Sequence, residues 1–226
     1  MSASGQRPET SRRPPGASRY GWLVGVVALL AVVYISLNTL RTEGPGSTGL
    51  QPGERLLPFA APLVDSDLEG DANVAARAGQ EQAGPRPACE VRDPRALNVC
   101  ALARRGPVVL AFLTSGAGKC VRELDAIEQV AARFPAVGFA AVGIKGERDD
   151  YRRLAREHGW SFPLAQDRDG AVANLYAVAV CPTVVLAYRG GEVMETALGD
   201  QVATPARLAA RVRALERGPA RRGPAA

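Results

Sequence analysis

PVVLAFLTSGAGKCVRELDAIEQVAARFPAVGFAAVGI, residues 107–144, decides the architecture. Its first seven residues are apolar and rich in β-branched side chains, which predicts a strand buried on both faces. A small, Gly-rich turn follows. Apolar side chains then recur at Val121, Leu124, Ile127, Val130 and Ala131. Steps of three and four residues mark one helix face, so 117–134 reads as a helix with Cys120 near its start. VGFAAVGI (137–144) is a second buried strand. Strand, helix and strand in succession imply a right-handed parallel crossover.

The pattern continues toward the C-terminus. ERDDYRRLAREHG (147–159) predicts a polar-faced helix with Tyr151, Leu154 and Ala155 inward, ended by Gly159. DRDGAVANLYAV (167–178) opens on a cap-like Asp and predicts a short helix. TVVLAYRGGEVMETAL (183–198) reads as a hairpin turned by Gly190 and Gly191. ATPARLAARVRALER (203–217) closes the domain as an amphipathic helix with Pro205 in its first turn. The expected order, β-α-β-α-α-β-β-α, is an α/β domain with a mixed sheet and helices on both faces. Residues 218–226, GPARRGPAA, read as a disordered tail.

Upstream, residues 41–55 are Gly/Pro/Ser-rich and read as a spacer. LLPFAAPLV (56–64) is an extended entry into a domain expected over 56–217. Residues 65–88 are acidic, alanine-rich and aperiodic, a loop insertion. Asp65, Asp67, Glu69 and Gly70 imitate the opening of a calcium loop, but the twelfth position, which needs a bidentate acid, is Ala76. That start is a polar turn.

Residues 21–40, GWLVGVVALLAVVYISLNTL, carry no charge and have the length of a membrane-crossing helix. Tyr20 and Trp22 stand where interfacial aromatics sit. Arg7, Arg12, Arg13 and Arg19 precede the run against Glu9, whereas Arg41 follows it beside Glu43. The positive-inside bias keeps the tail, 1–20, in the cytoplasm and exports the rest. The competing reading is a cleaved signal peptide, against which stand the length of the run and the lack of a small-x-small site. The expectation is a single-pass cell-membrane protein with an extracytoplasmic domain, where disulfides persist.

Composition bounds the chemistry. The net charge of +5 comes almost wholly from arginine, much of it in the two tails, with Lys119 and Lys145 the only lysines. No aromatic-interleaved basic patch exists, so a nucleic-acid partner is not expected. One histidine, His158, sits at a helix end; a single histidine rules out most zinc constellations and any Cys–His or Ser–His–Asp relay that does not use it. Neither a cofactor nor a metal is expected. Four cysteines, Cys89, Cys100, Cys120 and Cys181, allow three pairings that spacing alone does not separate. Cys89 and Cys100 bracket a short loop turned by Asp93 and Pro94, which suits a structural disulfide; an auxiliary redox pair and cross-pairing with Cys120 are the alternatives.

Residues 56–216 resemble the thioredoxin-fold superfamily. The likeness is to membrane-tethered redoxins, both TlpA-like thiol-disulfide oxidoreductases and the related AhpC/TSA peroxiredoxins. Four stretches carry it in order: GPVVLAFLTS (106–115), CVREL (120–124), DRDGAVANLYAVAVCPT (167–183) and VVLAYRGGEVMETALG (184–199). The resemblance implies a thioredoxin-like fold, with Pro182 as the cis-proline of the substrate groove. It makes Cys120 the second position of a C-x-x-C motif whose first position is Ala117, so the usual attacking thiol is missing.

Cys181, just before that proline, falls by the same resemblance over the active-site turn. A displaced pair, Cys120 with Cys181, then replaces C-x-x-C, with Cys120 exchanging and Cys181 resolving. The pair also reads as a static staple, or as a thiolate metal site shared by a dimer. Lys119 beside Cys120 suits a thiolate-stabilising charge or an exposed lysine. Glu123 suits proton transfer or a surface position. The implied activity is exchange with protein thiols and disulfides or with a membrane electron relay. A non-catalytic module that binds an extended peptide is the alternative, and a one-cysteine peroxide scavenger a third.

Overall fold

The computed structural model describes residues 17–41, 49–74, 86–116 and 118–218. The chain divides into two units, Met1–Gly44 and Pro45–Ala226. The first contains α1 (Ala17–Arg41), whose side chains are described over residues 21–34, nearly all exposed and apolar. Among the described residues no helix is long and apolar enough to cross a membrane. Of the anchor expected over 21–40, the side chains of residues 35–40 lie outside the description, as do most of the 1–20 and 218–226 tails and residues 75–85 of the loop insertion.

The second unit opens with a small antiparallel sheet of β1 (Phe59–Pro62), β2 (Asn73–Val74) and β3 (Ala96–Asn98), with β1 central. Helix α2 (Val99–Arg105) leads into β4 (Val108–Leu113), followed by α3 (Gly118–Ala131), β5 (Gly138–Ile144) and α4 (Arg148–His158). Then come β6 (Leu164–Asp167), α5 (Ala171–Leu175), β7 (Thr183–Ala187), β8 (Val193–Leu198) and α6 (Pro205–Glu216). The main sheet runs β6-β5-β4-β7-β8. β4, β5 and β6 are parallel, and β7 and β8 antiparallel, which is the mixed α/β sheet expected.

Strand periodicity builds two cores. Along β4, Val109, Ala111 and Leu113 face one layer while Val108, Leu110 and Phe112 face the other. β7 does the same, with Val184 and Leu186 opposed to Val185 and Ala187. On the first face, Leu124 and Ile127 of α3 meet Leu208, Val212 and Leu215 of α6. On the second, the Tyr176 ring meets Phe59 edge-on at 5.8 Å and Phe112 at a tilt at 5.1 Å between ring centroids. Each such side chain taken from water contributes about 1.5–3 kcal/mol, and the sheet is covered on both sides.

Several features differ from the sequence reading, among them β2 (Asn73–Val74) inside the segment expected as a loop. β6 is a strand of four buried residues, LAQD, whose two polar members hide it from a hydrophobicity pattern. α2 precedes the first core strand, capped by Asn98, whose Oδ1 accepts from Ala101 N at 3.0 Å. The end of the expected spacer is ordered against the terminal hairpin: Gly53 N donates to Val193 O at 2.8 Å and Val193 N to Glu54 O at 2.7 Å. The acidic segment after β1 is tied down by arginines, with Asp67 on Arg95 at 3.1 Å and Asp71 on Arg168 at 2.8 Å.

Candidate active site

Sheet register brings the two distant cysteines together. Phe112, near the end of β4, pairs with Thr183 at the start of β7. Beyond Phe112 the chain turns through residues 114–116 into α3; before Thr183 it arrives through Cys181 and Pro182, joined by a cis peptide bond. The antiparallel pairing therefore sets the Cys181 loop over the turn that begins α3. Cys120, Leu124 and Ile127 share the buried stripe of that helix, so Cys120 points toward the sheet and is 1% exposed. Cys120 and Cys181 are disulfide-bonded, with Cα atoms 5.5 Å apart, inside the usual range for such bonds.

The loop carrying Cys181 is held from both ends. Asp167, at the end of β6, accepts from Val172 N at 3.1 Å and from Ala173 N at 2.8 Å, fixing the start of α5. The cap-like Asp of the sequence thus caps from inside the protein. Burial pushes its carboxyl above the ordinary range against the pull of those two amides, and Asp169 beside it adds to the rise. On the far side Thr183 Oγ1 donates to Val180 O at 2.7 Å and Gly199 N to Pro182 O at 2.9 Å. Pro182 is buried; Cys181 keeps part of its surface, and Ala179 and Val180 before it are exposed.

Behind the turn sit groups that no sequence motif announced. Tyr151 of α4 is fully buried and donates its hydroxyl to Ile144 O at 2.8 Å. Its phenol is pushed up to about 12 by burial, with hydrogen bonds to Ser115 of the turn pulling the other way. Gln166 Nε2 donates to Gly146 O at 2.9 Å, closing the loop after β5. Helical spacing placed Tyr151 inward, but its contact with the turn depends on the crossover between β4 and β5.

Of the auxiliary candidates, Glu123 is buried at 6% exposure, which removes its reading as a surface residue. It stands three positions after Cys120 in α3. The side chain of Lys119, and Ala117 altogether, lie outside the described residues. Cys89 and Cys100 form the second disulfide, Cα atoms 5.3 Å apart. Asn98 backs it, its Nδ2 donating to Ala88 O and Val91 O at 2.9 Å each. Asp93 holds the intervening turn, and hydrogen bonds from Arg95 lower its carboxyl to about 2. Among the described residues no cluster of three or more His, Cys, Asp or Glu side chains is placed to hold a metal ion.

Known proteins share this architecture. A Chlorobium tepidum structure assigned as the thiol:disulfide interchange protein DsbE superposes with a TM-score of 0.56 at 20% identity, covering 74% of this chain and 98% of its own. Peroxidoxin BcpB from Mycobacterium tuberculosis gives 0.52 at 16% identity, covering 76% and 99%. At these identities the likeness is one of fold. The AhpC/TSA family model matches residues 91–196. The second unit thus has a thioredoxin-like α/β fold, and over residues 91–196 the chain is similar to the AhpC/TSA family.

Within that class its sequence is similar to the thiol-disulfide oxidoreductase ResA of Bacillus thuringiensis (strain Al Hakam). The two are 23% identical over 96 residues, 42% of this chain and 56% of the relative. The ResA of Bacillus anthracis matches to the same extent. The aligned part thus spans little more than half the length of the curated relatives.

Proposed function

We propose that this protein is a thiol-disulfide oxidoreductase of the extracytoplasmic space, held at the cell membrane by α1 and working through Cys120 and Cys181. The observation that supports it is the Cys120–Cys181 bond at the turn into α3, beside the cis Cys181–Pro182 peptide and next to exposed loop residues. A disulfide at that place is within reach of protein thiols, and exchange proceeds by thiolate attack through a mixed disulfide. The substrates are then cysteines of exported proteins or of a membrane electron relay. The uncharged run at 21–40, with arginines on its N-terminal flank, supports the anchor and its orientation.

The test is a glutathione redox titration of the full chain in detergent, with the disulfides mapped by mass spectrometry at each potential. Reduction of the Cys120–Cys181 bond between about −120 and −270 mV, the range of working oxidoreductases, is the expected outcome. A bond that survives below about −300 mV is a staple, and the protein is then a stapled binding module without exchange activity. Its observational basis would be the burial of Cys120.

A further inference from the structure

We infer that the sulfur which exchanges with substrate is Cys181 Sγ, and that Cys120 is the leaving and resolving thiol. This rests on the exchange reading above and reverses the order that the family resemblance implies. In that order the helix cysteine meets the partner; here the helix cysteine is the one the fold has closed off.

Access carries the assignment. Exchange needs an incoming thiolate to reach the attacked sulfur from an open side. Cys120 is 1% exposed and packs within the α3–α6 core beside Val121 and Leu124. Cys181 is partly exposed and follows two exposed residues, Ala179 and Val180, the latter at 47%. A substrate cysteine meets Cys181 first.

The electrostatics favour the same direction. Cleavage releases the other sulfur as a thiolate, and the thiol of lower pKa leaves faster. Cys120 is the third residue of the 14-residue α3, and its side chain leans toward the positive N-terminal end of the helix. Cys181 Sγ lies 3.8 Å from the Phe112 carbonyl oxygen, whose negative end opposes a thiolate there. Burial works against ionising Cys120, so the helix field offsets that penalty, and access remains the deciding factor.

The step balances without a further reagent. A substrate thiolate donates its electron pair to Cys181 Sγ, the Cys120–Cys181 bond breaks, and its pair departs on Cys120. The substrate's second thiolate then attacks its own sulfur in the mixed disulfide and releases Cys181 as thiolate. A dithiol is oxidised to a disulfide, and the protein pair is reduced by two electrons and takes up two protons. The reverse sequence reduces a substrate disulfide through the same Cys181 adduct.

The experiment uses the oxidised full chain in detergent. A brief pulse of substoichiometric glutathione is quenched with acid, free thiols are alkylated, and the peptides are mapped. Glutathione on Cys181 with the alkyl group on Cys120, in at least tenfold excess over the opposite arrangement, is expected; the opposite arrangement overturns the inference while leaving exchange intact. A second reading compares reduced C120S and C181S toward an aromatic disulfide. C120S should react at least tenfold faster, and equal or inverted rates overturn the assignment. Absence of any adduct, together with an intact bond throughout the titration above, defeats the exchange reading and this assignment with it.

Discussion

Asp167 shows how a single side chain positions the site. Its carboxyl is fully buried, yet two backbone amides of α5 depend on it, and α5 delivers the loop that ends in Cys181. Because its folded pKa lies above the ordinary 3.8, the native state holds this proton more tightly than the unfolded chain. Stability from this group is therefore present at low pH and falls as pH rises from about 3.8 through the raised value. Asp167→Asn cannot ionise, so relative to the wild type it should perform worst near pH 4 and recover toward neutrality. Urea midpoints of both proteins from pH 4 to 8 test this; a gap that stays constant with pH would remove the carboxyl from the account. Tyr176 makes a simpler case. Its buried hydroxyl donates to Leu57 O at 2.7 Å, tying α5 to the strand entry. Tyr176→Phe should cost about 1–2 kcal/mol in the same unfolding assay, the penalty of a buried carbonyl left without its donor.

Between elements, close approach is what fixes the turn. A Cβ on Gly143 of β5 would stand 2.6 Å from the Tyr151 ring, which the hydroxyl bond to Ile144 holds in place. Gly143→Ala should therefore overpack this contact and lower stability by about 1–3 kcal/mol, read as a drop in urea midpoint at unchanged m-value. The Cys89–Cys100 loop is separable from it. Replacing both residues by Ala should cost about 2–3 kcal/mol on the chain-entropy scale for so short a loop. The rate of exchange at Cys181 should stay the same, whereas a loss of exchange would make that pair an auxiliary redox site. These elements also show what a single sequence can carry. β4, α3, β5 and the hairpin were legible because their apolar periods are long and unbroken. β6 was not, since Gln166 and Asp167 are polar and buried for reasons that only the neighbouring loop and helix supply. The ordering of Gly53 and Glu54 was not legible either, because backbone pairing with the hairpin leaves no mark on composition. The meeting of Cys120 and Cys181 became visible only through family resemblance, as 61 positions separate them, and the difference in their exposure needed the packed core.

For the whole molecule, the division at Gly44 falls between the proposed anchor and the domain that carries the cysteines. The second unit has its own two-sided core and contains all four cysteines, so the proposed exchange takes no cysteine from the first. Two disulfides suit the oxidising compartment proposed for the domain, and the proposed anchor is what would keep it there. A 20-residue helix spans about 30 Å, the thickness of the hydrocarbon layer, so the uncharged run 21–40 has the length that the proposed anchor requires. The full chain should then sediment with membranes, resist alkaline extraction and enter solution only with detergent. A chain starting at residue 45 and exported by an unrelated cleavable leader should be soluble, form both disulfides and titrate at the same potential. Protease added from outside should digest the domain of the full chain while the membrane is intact. Recovery of the full-length product in the aqueous fraction with a shortened N-terminus would replace the anchor by a cleaved leader. Protection from external protease would invert the orientation, placing the cysteine pair in a compartment that reduces it.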